Sequence, residues 1–173
     1  MEIELRAKVS PGFQKNLKTI GAKFISKKSQ KDEYFRFKLD KKRKLIIRIR
    51  NNKILTFKGS SACKKDIAWQ EWETCIKNAK QLKELFLLNG LIKVATIEKT
   101  RKQYKLDNIT INYDSIKDLG FFIEAEIIGN NLKQGKKQLE ELFLNKLRIN
   151  KKDIIYEGYV KLMLKSAKRI KIP

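Results

Sequence analysis

No histidine occurs anywhere in the 173 residues. Its absence removes zinc sites of the usual Cys/His kind and every catalytic scheme built on a histidine base, the Ser-His-Asp triad included. Cysteine is nearly as scarce: Cys63 and Cys75 have no metal-ligand spacing and read as ordinary reduced thiols. No apolar run approaches the roughly 20 residues that a membrane helix needs, so no membrane partner is expected. The opening Glu2-Ile3-Glu4-Leu5-Arg6 is not the apolar core of a secretory signal, and a cytoplasmic location is the expectation. Linkers and low-complexity tracts are also missing. A chain of 173 residues with 42% apolar content suits one globular domain, with a core over about 2–164 and a basic tail over 165–173.

What is present in excess is positive charge, formally +22. Such an excess raises a nucleic-acid partner, because lysines and arginines bind phosphate backbones and release counterions. It is equally the mark of a lysine-rich surface. Lys15, Lys18, Lys27, Lys28, Lys41, Lys42, Lys64, Lys65, Lys151 and Lys152 are scattered rather than gathered, and no aromatic-studded RNA-binding signature accompanies them. Nucleic acid is left open through surface charge and is not favoured.

Hydrophobic periodicity sets the organisation. Residues 2–9 alternate strictly, with Glu2, Glu4, Arg6 and Lys8 on one face and Ile3, Leu5, Ala7 and Val9 on the other, which predicts a strand. Ser10-Pro11 then resembles a helix start, with Phe13, Leu17 and Ile20 at helical spacing before Gly21. Strands are predicted over 23–37, 45–50, 54–58, 67–76, 91–105, 109–114 and 121–128, with a tight hairpin at Asn51-Asn52-Lys53. A helix is predicted after the cap Asn78, another over 131–147, and a short one over 159–164. Eight strands with three or four helices describe one α+β domain.

The strands repeat one feature. Glu2/Glu4, Arg6/Lys8, Arg48/Arg50, Glu71/Glu73, Lys99/Arg101 and Glu124/Glu126 are charged pairs two residues apart, with Lys58 and Asp114 as single members. Residues two apart in a strand point the same way. A one-layer sheet with a wet charged face explains any single pair. Six pairs together point to a sheet closed on itself, with the ionised face inward. The set holds seven acids and seven bases, so the lining is neutral while the positive excess lies elsewhere. A nucleic-acid groove wants uniform positive potential. Separated signs suit a metal–polyphosphate complex instead, with bases gripping phosphate oxygens and carboxylates holding Mg²⁺ or Mn²⁺.

At these residues the sequence resembles the CYTH superfamily, the triphosphate tunnel metalloenzymes. That group includes CyaB-type class IV adenylyl cyclases, thiamine triphosphatases and inorganic triphosphatases. Glu2-Ile3-Glu4-Leu5-Arg6 matches the Glu-x-Glu-x-Lys signature, followed by Lys8. Gln30-x-Asp32-x-Tyr34-Phe35, Arg48-Ile49-Arg50, Thr56-Phe57-Lys58-Gly59, Glu71-x-Glu73, Lys99-x-Arg101, Asp114 and Glu124-Ala125-Glu126 follow in family order. Two positions depart from the pattern: Arg6 replaces a lysine, and Trp69 stands where relatives often carry a base.

The resemblance implies a closed barrel of eight antiparallel strands with helices packed outside. It implies Glu2, Glu4, Glu124 and Glu126 as leading ligands for Mg²⁺ or Mn²⁺, with Asp114, Glu71 and Glu73 as further candidates. Lys8, Arg48, Arg50, Lys58, Lys99 and Arg101 would bind the triphosphate, and Lys58, Arg6 and Tyr34 are the catalytic candidates. The expected activity is a class IV adenylyl cyclase converting ATP to cyclic AMP and pyrophosphate. Hydrolysis of thiamine, nucleoside or inorganic triphosphate is the alternative, and a non-catalytic polyphosphate- or RNA-binding module is a third. A homodimer is compatible with the architecture. Glu124→Gln is expected to remove metal-dependent activity and leave thermal stability near wild type.

Overall fold

Strands of period two become an antiparallel sheet when each has one apolar face to bury. The computed structural model describes residues 1–38, 45–59 and 68–170. Cys63, Ile67, Lys41, Lys42, Lys64, Lys65 and residues 171–173 of the tail lie outside them. The described strands are β1 (Glu2–Val9), β2 (Lys23–Phe37), β3 (Ile46–Arg50), β4 (Ile54–Lys58), β5 (Ala68–Trp69), β6 (Glu71–Cys75), β7 (Leu91–Leu106), β8 (Ile109–Ile116), β9 (Gly120–Ile128) and β10 (Ile154–Ile155). The helices are α1 (Gln14–Thr19), α2 (Ala79–Leu88), α3 (Leu132–Glu141) and α4 (Tyr159–Ile170), with a π-helical turn over Leu142–Lys146. The class is α+β, as expected.

The sheet runs β10-β1-β9-β8-β7-β2-β3-β4-β6, every pairing antiparallel, with β5 attached to β1. It differs from a fully closed eight-stranded barrel in two ways. Ten strands are present among the described residues, and the hydrogen-bonded path does not return to its start. The reason lies at β1, whose second edge is divided: Glu2 and Ile3 pair with β5, whereas Arg6 and Ala7 pair with β10. No room remains for β6, which pairs only with β4. Gln70 alone separates β5 from β6, and its carbonyl accepts from Gly59 N at 2.8 Å. The strand expected over 67–76 is thus broken, its first part on β1 and its second on β4. Side chains close this seam: Lys58 Nζ lies 3.3 Å from Glu2 and 3.9 Å from Glu4.

The outer face carries two apolar layers. Ile3, Leu5, Ile111, Ile123 and Ala125 pack under Leu139, Leu142 and Phe143. Gly135 lets α3 lie close on β1, since a Cβ there would meet Ile3 Cδ1 at 2.5 Å. Phe35, Ile47, Ile49, Leu55 and Leu91 pack under Leu82 and Phe86 of α2. A third cluster is on the inner face. Ile97, Ile116 and Phe122 share strand parity with Lys99, Asp114 and Glu124, and Tyr159, Val160, Leu162 and Met163 of α4 cover them.

Local boundaries follow their chemistry. Asn78 and Asn131 cap α2 and α3 by accepting from the backbone N–H of Gln81 and Gln134. Asn51 and Asn52 both take positive φ, 51° and 55°, in the three-residue connection 51–53, where the Lys53 N–H donates to the Arg50 carbonyl at 2.9 Å. The helix expected from Ser10 begins only at Gln14, because Gly12 at φ 83° turns the chain first. At the other end, α4 passes the expected stop at Leu164 and takes residues 165–170 of the supposed tail into the helix. No helix among the described residues is long and apolar enough to cross a membrane.

Candidate active site

The charged face lines a cavity of about 760 Å³. Glu2, Glu4, Arg6, Tyr34, Arg48, Arg50, Lys58, Glu71, Glu73, Lys99, Arg101, Glu124 and Glu126 all stand on its wall. Two predicted members do not. Lys8 is solvent-exposed at the sheet's end beside Gly120, past the cavity wall. Asp114 is completely buried beneath the wall, where it holds the basic groups rather than facing the space.

Ion pairing divides the lining into two networks. In the first, Arg6 Nη2 is 2.6 Å from Glu4 and donates to Glu124 at 3.1 Å. Arg101 grips Asp114 with two bonds of 2.8 and 2.6 Å and donates to Glu124 at 2.7 Å. Lys99 Nζ lies 3.3 Å from Asp114. In the second, Arg50 makes a bidentate pair with Asp32 at 2.8 and 3.0 Å. Arg48 donates to Glu73 and to Thr56 Oγ1, each at 3.0 Å. Lys58 joins the two networks, reaching Glu71 on one side and Glu2 and Glu4 on the other.

The electrostatics follow from this pairing. Burial alone would neutralise Glu124, yet Arg101, Arg6 and Lys99 outweigh it and hold the carboxyl well below the ordinary range. Burial, then Arg101, pulls Lys99 down to about 8 against the attraction of Asp114. Glu126 is the opposite case. Burial, then Glu124 and Glu2, pushes its carboxyl up to about 8. Tyr34 is raised to about 12 by burial and by Asp32, so the phenol stays protonated, and its oxygen accepts from Arg48.

An oxygen-only donor set around Glu2, Glu124 and Glu126 suits a hard divalent cation, and the raised Glu126 shows crowded carboxylates that a cation would relieve. The chemistry of the residues therefore fits Mg²⁺ or Mn²⁺. Among the described residues no three such ligands are already gathered into a cage. Glu2 is paired with Lys58, and Glu124 with Arg6 and Arg101.

Asp32 makes a checkable pH prediction. Burial raises its pKa, but the bonds and charge of Arg50 outweigh burial and leave it lowered. A carboxyl lowered on folding adds stability above its unfolded value and loses it as pH falls through the folded value. Asp32→Asn is therefore expected to lower the melting temperature at neutral pH and to flatten its decline below about pH 4. Parallel acid limbs for variant and wild type would contradict this.

Counting charged pairs overlooked several groups in the lining and buried behind it. Asp32 had entered only as part of a motif. Lys28 and Gln103 share the inward parity of Gln30 and Arg101. Thr56, fully buried, shares that of Lys58. Tyr159 arrives from α4, where no strand parity could reveal it.

An antiparallel α+β barrel whose interior is ionised with both signs defines a class of anion- and cation-binding tunnel. The CYTH domain model matches residues 1–159, and the chain belongs to that family. The chain is 31% identical over 172 residues to a Methanocaldococcus jannaschii protein named "Putative adenylate cyclase MJ0240", covering 94% of this chain and 98% of that one. Among solved structures, the PH1012 protein from Pyrococcus horikoshii superposes with a TM-score of 0.82 at 28% identity, covering 94% of this chain and 99% of that one. A Hippeastrum adenylyl cyclase homologue, HpAC1, whose structure is described as revealing a dominant triphosphatase activity, shares the fold with a TM-score of 0.62 at 17% identity. The alignment spans 96% of this chain and 95% of that one.

Proposed function

We propose that the chain is a divalent-metal-dependent enzyme acting on an organic triphosphate, of the CyaB-like adenylyl cyclase type that converts ATP to cyclic AMP and pyrophosphate. The observation that carries this reading is the cavity lining, where acids and bases alternate in mutual pairs along one enclosed wall. The similarity to the M. jannaschii protein supports the same class. A lining of mixed sign gives single-stranded nucleic acid no uniform positive track, so a binding-only RNA module is disfavoured.

The cavity lining also includes apolar side chains, among them Phe37, Leu45, Ile46, Val94, Val160 and Leu164. Inorganic triphosphate has no use for such a surface, whereas an organic ring does. That favours a substrate with an organic group.

Glu2, Glu4, Glu124 and Glu126 would hold the Mg²⁺ or Mn²⁺, which when bound neutralises phosphate charge and polarises the phosphorus under attack. Arg48, Arg50, Lys58, Lys99 and Arg101 bind phosphate oxygens, the arginines through their planar forks. Arg6 remains charged throughout, so it stabilises developing negative charge and does not act as a base. Tyr34 and Thr56 orient Arg48. In the cyclase reaction the ribose 3′-hydroxyl attacks the α-phosphorus and pyrophosphate leaves. Water attack on the terminal phosphorus is the second reading, favoured by the activity described for the Hippeastrum protein. The direction in which the triphosphate lies selects between them.

The test is incubation with ATP, thiamine triphosphate and inorganic triphosphate, each with Mg²⁺ or Mn²⁺, followed by product analysis. Cyclic AMP with pyrophosphate is the expected outcome, and orthophosphate release would move the assignment to hydrolysis. No turnover of any substrate would overturn the enzyme reading.

A further inference from the structure

Tyr159 is the first residue of α4, and α4 carries it into the cavity wall. Its ring has three aromatic or cationic neighbours among the described residues. It meets Phe122 edge-on at 5.3 Å, with the Arg6 guanidinium 5.2 Å and the Lys99 ammonium 5.1 Å from its centroid. The residue is only 6% exposed, so the ring has little freedom.

Everything the ring does here, a phenylalanine would do as well. The hydroxyl is the unexplained part. Tyr159 Oη is enclosed and has no hydrogen-bond partner among the described residues. Buried hydroxyls are almost always bonded, because an unpaired one forfeits its hydration without return. Burial, then the charges of Glu124 and Asp114, holds the phenol protonated well above its usual range, so what it offers is a donor. Of the two cations against its ring, the proposed function directs Lys99 at phosphate oxygens and Arg6 at developing negative charge.

We propose that Tyr159 is a substrate-binding residue whose Oη donates a hydrogen bond to a phosphate oxygen of the triphosphate seated over Arg6 and Lys99. The inference rests on the triphosphate reading and adds a contact from outside the sheet. It makes α4 part of the site and not only a cover for Ile97, Ile116 and Phe122. The hydroxyl reads the phosphate and not the organic group, so free and nucleoside-bound triphosphate should depend on it equally.

The experiment is calorimetric titration of wild type and Tyr159→Phe with inorganic tripolyphosphate and with the α,β-methylene analogue of ATP, whose bridge the cyclase reaction does not break, both in Mn²⁺, alongside melting curves of the ligand-free proteins. Loss of a hydrogen bond to a charged oxygen is expected to weaken both ligands by about ten- to a hundredfold. The ligand-free variant should melt at the wild-type temperature or above it, since the lost hydroxyl had no partner. Unchanged affinity would overturn the proposal. So would a lower melting temperature of the free variant, which would reveal a structural role for the hydroxyl. Wild type that binds neither ligand would overturn the triphosphate reading itself, a result distinguishable from wild type that binds and a variant that binds equally.

Discussion

Glu124→Gln is expected to reduce metal-dependent turnover by about a thousandfold, the scale set by removing one preorganised charge from a site that works by charge stabilisation. The same exchange should also lower the melting temperature. Glu124 is buried and accepts from both Arg6 and Arg101, at 3.1 and 2.7 Å. A glutamine keeps the shape but strips the charge from a carboxylate facing two guanidiniums. The cost is about 2–3 kcal/mol, moderated because Arg6 keeps Glu4 and Arg101 keeps Asp114. For a domain of this length that corresponds to about 5–10 °C. The sequence alone suggested that stability would stay near wild type, because it showed a metal ligand and not the two arginines behind it. Full activity in the variant would remove Glu124 from the machinery. Activity measurements at a temperature where the variant remains folded separate the two effects.

The inward face was legible in the sequence because strand parity is local. Glu4 and Glu126 are cross-strand neighbours, as are Arg6 and Glu124, so alternation within each strand carries directly into the wall of the cavity. Depth was not legible. Asp114 and Lys8 have the right parity, yet one is sealed under Arg101 and the other stands in solvent past the wall. Parity names a face; position along the barrel decides whether that face is cavity, plug or rim. Ile97, Ile116 and Phe122 show the same point, since they are inward-facing and apolar where α4 seals the interior. The break at Gln70 was hidden because residues on both sides of it keep strand periodicity. Only the competition of β5 and β10 for one edge of β1 reveals it. Tyr159 was beyond reach for a different reason: it is brought to Arg6 by tertiary packing across more than a hundred residues of chain.

The pairing of the lining has a consequence for binding. In the free protein Arg6 is matched to Glu4 and Glu124, Arg101 to Asp114 and Glu124, Arg48 to Glu73, and Lys58 to Glu71, Glu2 and Glu4. Triphosphate alone must draw bases away from their acids and leave carboxylates facing an anion. A divalent cation alone must enter among guanidiniums. On the proposed function, binding both would let the carboxylates turn to the cation and the bases to the phosphates, and the wall would keep its neutrality. The two ligands would then be coupled, each raising the affinity for the other by the same factor.

The most direct measurement is calorimetric titration of the wild-type protein with inorganic tripolyphosphate, once in Mn²⁺ and once in EDTA at matched ionic strength. The exchange of partners predicts about a hundredfold tighter binding with the metal, near the upper part of the range for coupled sites. Equal affinity in Mn²⁺ and EDTA, or no binding in either, would contradict it.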